Sequence, residues 1–268
     1  KEDIAKVFYE IENNRNKVIK SIEEIDNKKQ EINNKIKEFD IQIANNTNEM
    51  RMKQSRYNFL VETDQINSSD ETFNKLMFLY SSALKQLEIK MDILKDEFNC
   101  FYGCSIIDHT QTRIKKPDSI IKKMEDKNYE KTYRNLVEQI NDIAGLRVIC
   151  PIKDNVFTIV DLIKNMPDIN VIKEKDYITK PKKSGYSSYH MIVEVPVQLM
   201  KQIIPVKVEI QIRTLAMDFW ASLEHDIKYK TNNKLTKKMS NELVKCAKMI
   251  NKMDDKMLVL KYENGAKM

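Results

Sequence analysis

Glycine is scarce in this chain, at four of 268 residues against an average share of about 7%. Neither GxxxxGK[ST] nor GxGxxG occurs, so glycine-rich phosphate loops are set aside. Cysteine is equally sparse. Cys100, Cys104, Cys150 and Cys246 form no CxxC pair, and only three histidines could assist them. That spacing argues against a structural zinc site and predicts free thiols in a reducing cytoplasm. No run of 18 apolar residues exists, so no membrane-spanning helix is expected. No charged-then-apolar leader is visible, so no secretory signal is expected. Net charge is +6, with a pI near 8.9. This mildly basic balance suits a polyphosphate ligand and falls short of a nucleic-acid coat.

Three textures follow one another along the chain. Residues 1–60 read as one helix with two apolar seams. Ile4, Ile11, Val18, Ile25, Ile32 and Phe39 recur every seventh residue. Phe8, Arg15, Ile22, Lys29, Ile36 and Ile43 each lie four residues after a member of the first series, and Met50 continues the second series seven residues after Ile43. This is the a/d pattern of a coiled coil, with Arg15 and Lys29 as polar exceptions that can set register. Twelve basic against eleven acidic residues make the segment nearly neutral, so it is no nucleic-acid arm. It predicts oligomerisation or docking to a partner, with a helix folded back on its own domain as the alternative. Polar residues 61–72 break the pattern, and Ser69 or Asp70 can cap a second helix running to about Cys100. Phe73, Met77, Tyr80, Leu84, Leu87, Met91, Leu94 and Phe98 form its core face.

Every glycine and every proline lies in 103–268. Strands are expected at 146–152, 169–174, 190–197 and 205–214, and helices at about 118–140, 154–166, 215–230 and 236–262. That order predicts an α/β (α+β) layer fold with a mixed sheet.

Four clusters can carry chemistry. Residues 113–124, RIKKPDSIIKKM, set Arg113, Lys115, Lys116, Lys122 and Lys123 around a helix start at Pro117-Asp118-Ser119. Helix N–H groups with lysines on both sides can cradle phosphates without glycine. A solvated basic face is the plainer alternative. In NDIAGLRVIC, Asp142 can hold Mg²⁺, and Arg147 can stack on a base. In KEKDYITKPKKSGYSSYH, five lysines face two acids over 173–183, and Gly185-Tyr186 reads as a turn presenting an aromatic ring before His190. In VEIQIRT, Glu209, Gln211 and Arg213 share one strand face opposite Val208, Ile210 and Ile212. Three polar residues there mark a functional face. Glu209 can share a metal with Asp142 or take a proton from a hydroxyl.

RIKKPDS, DIAGLRV, KDYITKPKKSGYSSYH, VEIQIRT and AMDFWASLEHDIKYK together resemble the synthetase domain of the RelA/SpoT family, in particular its stand-alone small alarmone synthetases. The resemblance spans about residues 75–235. It implies a nucleotidyltransferase-like synthetase fold and a pyrophosphokinase that moves the β,γ-pyrophosphoryl group of ATP to the 3′-hydroxyl of GDP or GTP, giving (p)ppGpp. By this resemblance, Arg113 and Arg147 sandwich adenine, and Lys115, Ser119 and Lys123 hold the ATP phosphates. Asp142 and Glu209 bind Mg²⁺, Glu209 also activates the acceptor hydroxyl, and Tyr186 stacks on guanine. Lys182, His190, Gln211 and Arg213 line the acceptor side. Asp142, Glu209 and Lys115 are the catalytic set. Ser184 stands where long family members usually carry Asn, and Lys173-Glu174-Lys175-Asp176 replaces a signature that begins with Arg. The family's hydrolase half looks absent, since His225-Asp226 lies inside the synthetase's closing motif.

The expected organisation is a coiled-coil extension over 1–62, a synthetase domain over 70–235 and an oligomerisation helix over 236–268. A homo-oligomer, dimer or tetramer, is expected in the cytoplasm, with Lys95 a weak phosphate-contact candidate. A tRNA-modifying relative and a non-catalytic nucleotide-binding scaffold are the competing readings.

Overall fold

The computed structural model of the chain describes residues 2–64, 69–230 and 235–263. Two compact units emerge, Lys1–Gln54 and Ser55–Met268. The first belongs to helix α1, Glu2–Asp64. Every side chain from 12 to 47 is exposed. Val18, Ile22, Ile25, Ile32, Ile36, Phe39 and Ile43 are each 50–63% exposed, so the two seams are solvent-facing within this chain. The side chains of Ile4, Phe8 and Ile11 lie outside the described residues. So do the expected caps Ser69 and Asp70, and residues 65–68 of the expected break.

In the second unit, among the described residues, helix α2, Ser69–Tyr102, precedes five strands and five further helices. The strands are β1 His109–Ile114, β2 Ala144–Cys150, β3 Asn170–Asp176, β4 Tyr189–Gln198 and β5 Ile203–Thr214. The helices are α3 Pro117–Asp126, α4 Tyr133–Gln139, α5 Lys153–Lys164, α6 Leu215–Lys230 and α7 Lys237–Glu263. The strands form one sheet in the order β1-β2-β5-β4-β3. β2 and β5 run parallel and every other pair is antiparallel, which makes the expected mixed sheet.

Alternation divides the sheet into two faces. Along β4, Tyr189, Met191, Val193, Val195 and Val197 are buried, while His190, Ile192 and Glu194 are half-buried. Val208, Ile210 and Ile212 of β5 and Leu146 and Val148 of β2 continue the apolar face. Helix α2 covers it with Leu76, Tyr80, Ala83, Leu84, Leu87 and Met91, whose spacing keeps them on one stripe. Helix α5 adds Val156, Ile159, Val160 and Ile163 to the same core. Fully burying one such side chain contributes about 1.5–3 kcal/mol.

Two expectations need correction. The helix expected at 118–140 is two helices, α3 and α4. Asn128 adopts a φ of 55° between them, and the Thr132 hydroxyl accepts the Asn135 N–H at 3.2 Å to start α4. Strand β1 was not expected. HTQTRI alternates threonine with polar residues and carries little apolar contrast, so its pairing with β2, rather than local pattern, makes it a strand.

Helices α6 and α7 pack together around Trp220, Ala221 and Ala247, and the Trp220 indole N–H donates to the Leu243 carbonyl at 3.0 Å. All four cysteines are free, and burial pushes the Cys150 thiol well above its ordinary range. None of the described helices is long and apolar enough to cross a membrane.

Candidate active site

Strand register assembles the polar face. Gly145 lies opposite Glu209 and Arg147 opposite Gln211 in the parallel pair. His190 also lies opposite Gln211, across β4 and β5. Arg113 lies opposite Gly145, and Gln111 opposite Arg147, across β1 and β2. Opposed residues share a face. Arg113, Arg147, His190, Glu209, Gln211 and Arg213 therefore all rise from the side away from the α2 core.

A cavity of about 480 Å³ opens on this face, walled by Arg113, Lys115, Asp142, Arg147, Glu209 and Gln211. Lys115 continues from β1, and its backbone N–H bonds the Ile143 carbonyl at 2.8 Å, which fixes it beside Asp142. The Lys115 and Lys123 ammonium groups each stand 2.7 Å from Asp142 Oδ2. Burial works against the Asp142 charge, but hydrogen bonds and charge from the two lysines prevail and hold its carboxyl below the usual range. Lys123 reaches in from α3, whose first turn begins Pro117-Asp118 after an extended Lys116. Ser119 lies in that turn, half-buried and off the cavity wall, with its N–H bonded to the Lys116 carbonyl at 3.0 Å.

A second cluster adjoins Glu209. The His190 Nδ1 is 3.1 Å from Glu209 Oε1, and the Gln211 amide donates to Oε2 at 3.0 Å. Burial opposes the Glu209 charge, yet His190 and Gln211 together hold its pKa below the ordinary value. The Tyr186 hydroxyl lies 2.8 Å from His190 Nε2 and accepts from Arg213 Nη2 at 2.6 Å. Arg213 also donates to Gln211 at 2.6 Å. The Lys182 ammonium sits 4.5 Å from the Tyr177 ring centre and 4.8 Å from that of Tyr186, within cation–π reach. Gly185 makes the turn, with a φ of 93° and its N–H bonded to the Lys182 carbonyl at 2.8 Å. A Cβ there would come within 2.6 Å of Ala247 Cβ on α7.

The sequence-derived residues thus fall into two groups joined at Glu209. Arg113, Lys115, Asp142 and Arg147 meet at the cavity with Lys123 behind them. Tyr186, His190, Lys182 and Arg213 meet at the aromatic cluster, and Gln211 touches both. Lys95 stands apart, with its ammonium on the Asp108 carbonyl. His225 and Asp226 are exposed on α6.

The carboxylates fit a hard cation. Asp142 Oδ1 is buried with no hydrogen-bond partner, an unmet acceptor that a bound cation would satisfy. No group of three or more His, Cys, Asp or Glu able to hold a metal occurs among the described residues. A cation here would draw its other ligands from water and phosphate, as Mg²⁺ does.

Sequence reasoning assigned no role to Gln111, Tyr177, Ser188 or Asp218. Gln111 accepts from Arg147 Nη1 at 3.2 Å, and Asp218 holds both Arg147 and Arg213. Asp218 lies within the quoted AMDFWASLEHDIKYK run, so its motif was visible while its partners were not.

Residues 112–234 match the family described as the region found in RelA/SpoT proteins. The chain is 42% identical to the GTP pyrophosphokinase YwaC of Bacillus subtilis over 75% of its own length and 95% of the relative's. Identity to the GTP pyrophosphokinase YjbM of the same organism is 31%, over 72% and 90%. The crystal structure of small alarmone synthetase 2 from Bacillus subtilis superposes with a TM-score of 0.65 at 43% identity, covering 71% of this chain and 97% of that one. Small alarmone synthetase 1 from Bacillus subtilis, bound to its product pppGpp, gives 0.68 at 30% identity, covering 73% and 100%. The open polar face of the mixed sheet and these likenesses agree, and the chain belongs to the RelA/SpoT family, among its small alarmone synthetases.

Proposed function

We propose that this chain is a GTP pyrophosphokinase that makes (p)ppGpp from ATP and GDP or GTP. The observation that carries the reading is the position of Glu209. It walls the donor cavity and at the same time bonds His190, which meets the Tyr186 hydroxyl.

In this reading Arg113 and Arg147 hold adenine, and Lys115, Lys123 and Ser119 hold the phosphates of ATP. Tyr186 stacks on guanine, with Lys182, His190, Gln211 and Arg213 around the acceptor. The acceptor 3′-oxygen attacks the β-phosphorus as its proton passes to Glu209. The bond from the β-phosphorus to the α-phosphate oxygen breaks, and AMP leaves. Charge grows on phosphate oxygens during transfer, so positioning and cationic stabilisation supply most of the catalysis. Asp142 and Glu209 are the residues that would hold Mg²⁺. Bound Mg²⁺ would neutralise the phosphate oxygens. Phosphates entering the cavity draw Lys115 and Lys123 from Asp142, whose buried Oδ1 has no hydrogen-bond partner.

The protein works in the cytoplasm as a homo-oligomer. The exposed seams of α1 are matched by a second copy of α1, since two apolar seams on one helix need another helix. In this reading the extension covers 1–62, the synthetase domain 70–235 and the oligomerisation helix 236–268.

The test is product analysis with γ-³²P-ATP and Mg²⁺ in separate reactions with GMP, GDP, GTP or deacylated tRNA. Label on a guanine nucleotide, abolished in Glu209→Gln, supports the reading and names the acceptor. Label on tRNA alone, or no transfer to any acceptor, overturns it.

A further inference from the structure

Asp218 lies in the first turn of α6, where a carboxylate is favoured by the free N–H groups of the helix start. Its Oδ1 stands 3.3 Å from Arg147 Nη1 and 3.1 Å from Arg213 Nη1. The two arginines belong to different halves of the site. Arg147 walls the donor cavity, and Arg213 holds the Tyr186 hydroxyl at 2.6 Å. One carboxylate oxygen therefore joins the donor wall to the aromatic cluster.

The two guanidiniums are not held alike. Arg213 is buried and spread over Ser188, Gln211, Tyr186 and Asp218. Arg147 is half-buried, bonds Gln111 and Asp218 through one nitrogen, and keeps a buried Nε with no partner. Arg147 is thus the less satisfied of the pair and the one free to change its share of Oδ1. Burial and the neighbouring Arg213 charge both disfavour the Arg147 cation, and Asp218 acts against them.

We propose that Asp218 is a positioning residue that couples donor binding to acceptor binding. A base stacked on the Arg147 guanidinium fixes that group and shifts its hold on Oδ1. The hold of Arg213 on Oδ1 changes in step, and with it the setting of Tyr186, the ring that receives guanine. This rests on the proposed function, whose donor and acceptor it links.

The experiment is calorimetric titration of the full chain with GDP, with and without saturating α,β-methylene-ATP, a donor that cannot transfer its pyrophosphoryl group. In the native chain the donor analogue tightens GDP binding at least about fivefold, and GDP tightens the analogue by the same factor, as linkage requires. In Asp218→Asn, which keeps the shape and removes the charge, the factor falls to about one while each nucleotide still binds alone. Asp218→Glu restores part of it, which a purely structural role would not predict. Arg147→Gln, saturated with analogue, gives the same loss of coupling with the carboxylate intact, so a misfolded Asp218 variant does not decide the matter. A native factor of one in a chain that transfers label overturns this proposal alone, and so does an unchanged factor in Asp218→Asn or in Arg147→Gln. A native chain that binds neither nucleotide and transfers no label overturns the functional reading, and this proposal falls with it.

Discussion

The two faces of strand β5 share a backbone and differ in everything else. Val208, Ile210 and Ile212 are fully buried against the α2 core. Glu209, Gln211 and Arg213 point the other way, into a network of His190, Tyr186 and Asp218. One face provides burial energy for the fold. The other places charges where water would otherwise hold them. Substitutions on the two faces should therefore separate stability from activity.

The sharpest separation is expected at Glu209. Glu209→Gln should lower kcat by about 10³-fold, equal to about 4 kcal/mol of barrier, if Glu209 is the general base. The melting temperature should hardly move, and a large drop would merge the two faces into one structural role. The opposite pattern is expected next door. Ile210→Ala should cost about 2–5 kcal/mol in chemical denaturation, because a cavity opens in a packed core. The surviving folded fraction should keep its KM for ATP.

Gly185→Ala tests whether the polar face is also held from behind. Its φ of 93° and the 2.6 Å approach to Ala247 both resist a side chain. The expected cost is about 2–3 kcal/mol, from the left-handed backbone and from overpacking. The KM for the guanine nucleotide should rise more than that for ATP, since Gly185 sits beside Tyr186. Equal shifts in both constants would argue against a separate acceptor half.

The face was legible at β5 because strict alternation needs no knowledge of the partner strand. It was not legible at β1, where HTQTRI lacks apolar contrast. The sequence places Arg113 in a basic run before a helix start, whereas the structure puts it near the end of strand β1. Asp218 was hidden for another reason. Its two arginines lie on strands distant in sequence from each other, and only the β2–β5 pairing makes them neighbours.

Acid offers a gentler probe of the polar face. Asp142 and Glu209 both have folded pKa values below their ordinary ones. Their contribution to stability is complete above the unfolded carboxylate range, about 4, and is lost as pH falls through the lower folded values. Melting temperatures measured from pH 7 downward should stay level until that range and then fall. In Asp142→Asn the fall should be shallower.

The smallest effect is expected on α1, which has a charged face and exposed seams without a core. Glu31 and Lys35 form an exposed ion pair at 2.8 Å, one helical turn apart. Glu31→Gln should change stability by no more than about 0.5 kcal/mol. Ile25→Asp and Ile32→Asp together should instead reduce the mass measured by light scattering if the seams join two copies. An unchanged mass would remove α1 from the assembly.

The sequence by itself determined the long helices, the alternation of β4 and β5 and the heptads of α1, because these depend on spacing along the chain, but not the break between α3 and α4. Tertiary structure decided which of those residues meet. Arg147 stands beside Gln211, two lysines converge on Asp142, and Asp218 serves two arginines because strand register and helix docking are set by contacts between distant segments. Such contacts leave no periodic trace in the local sequence.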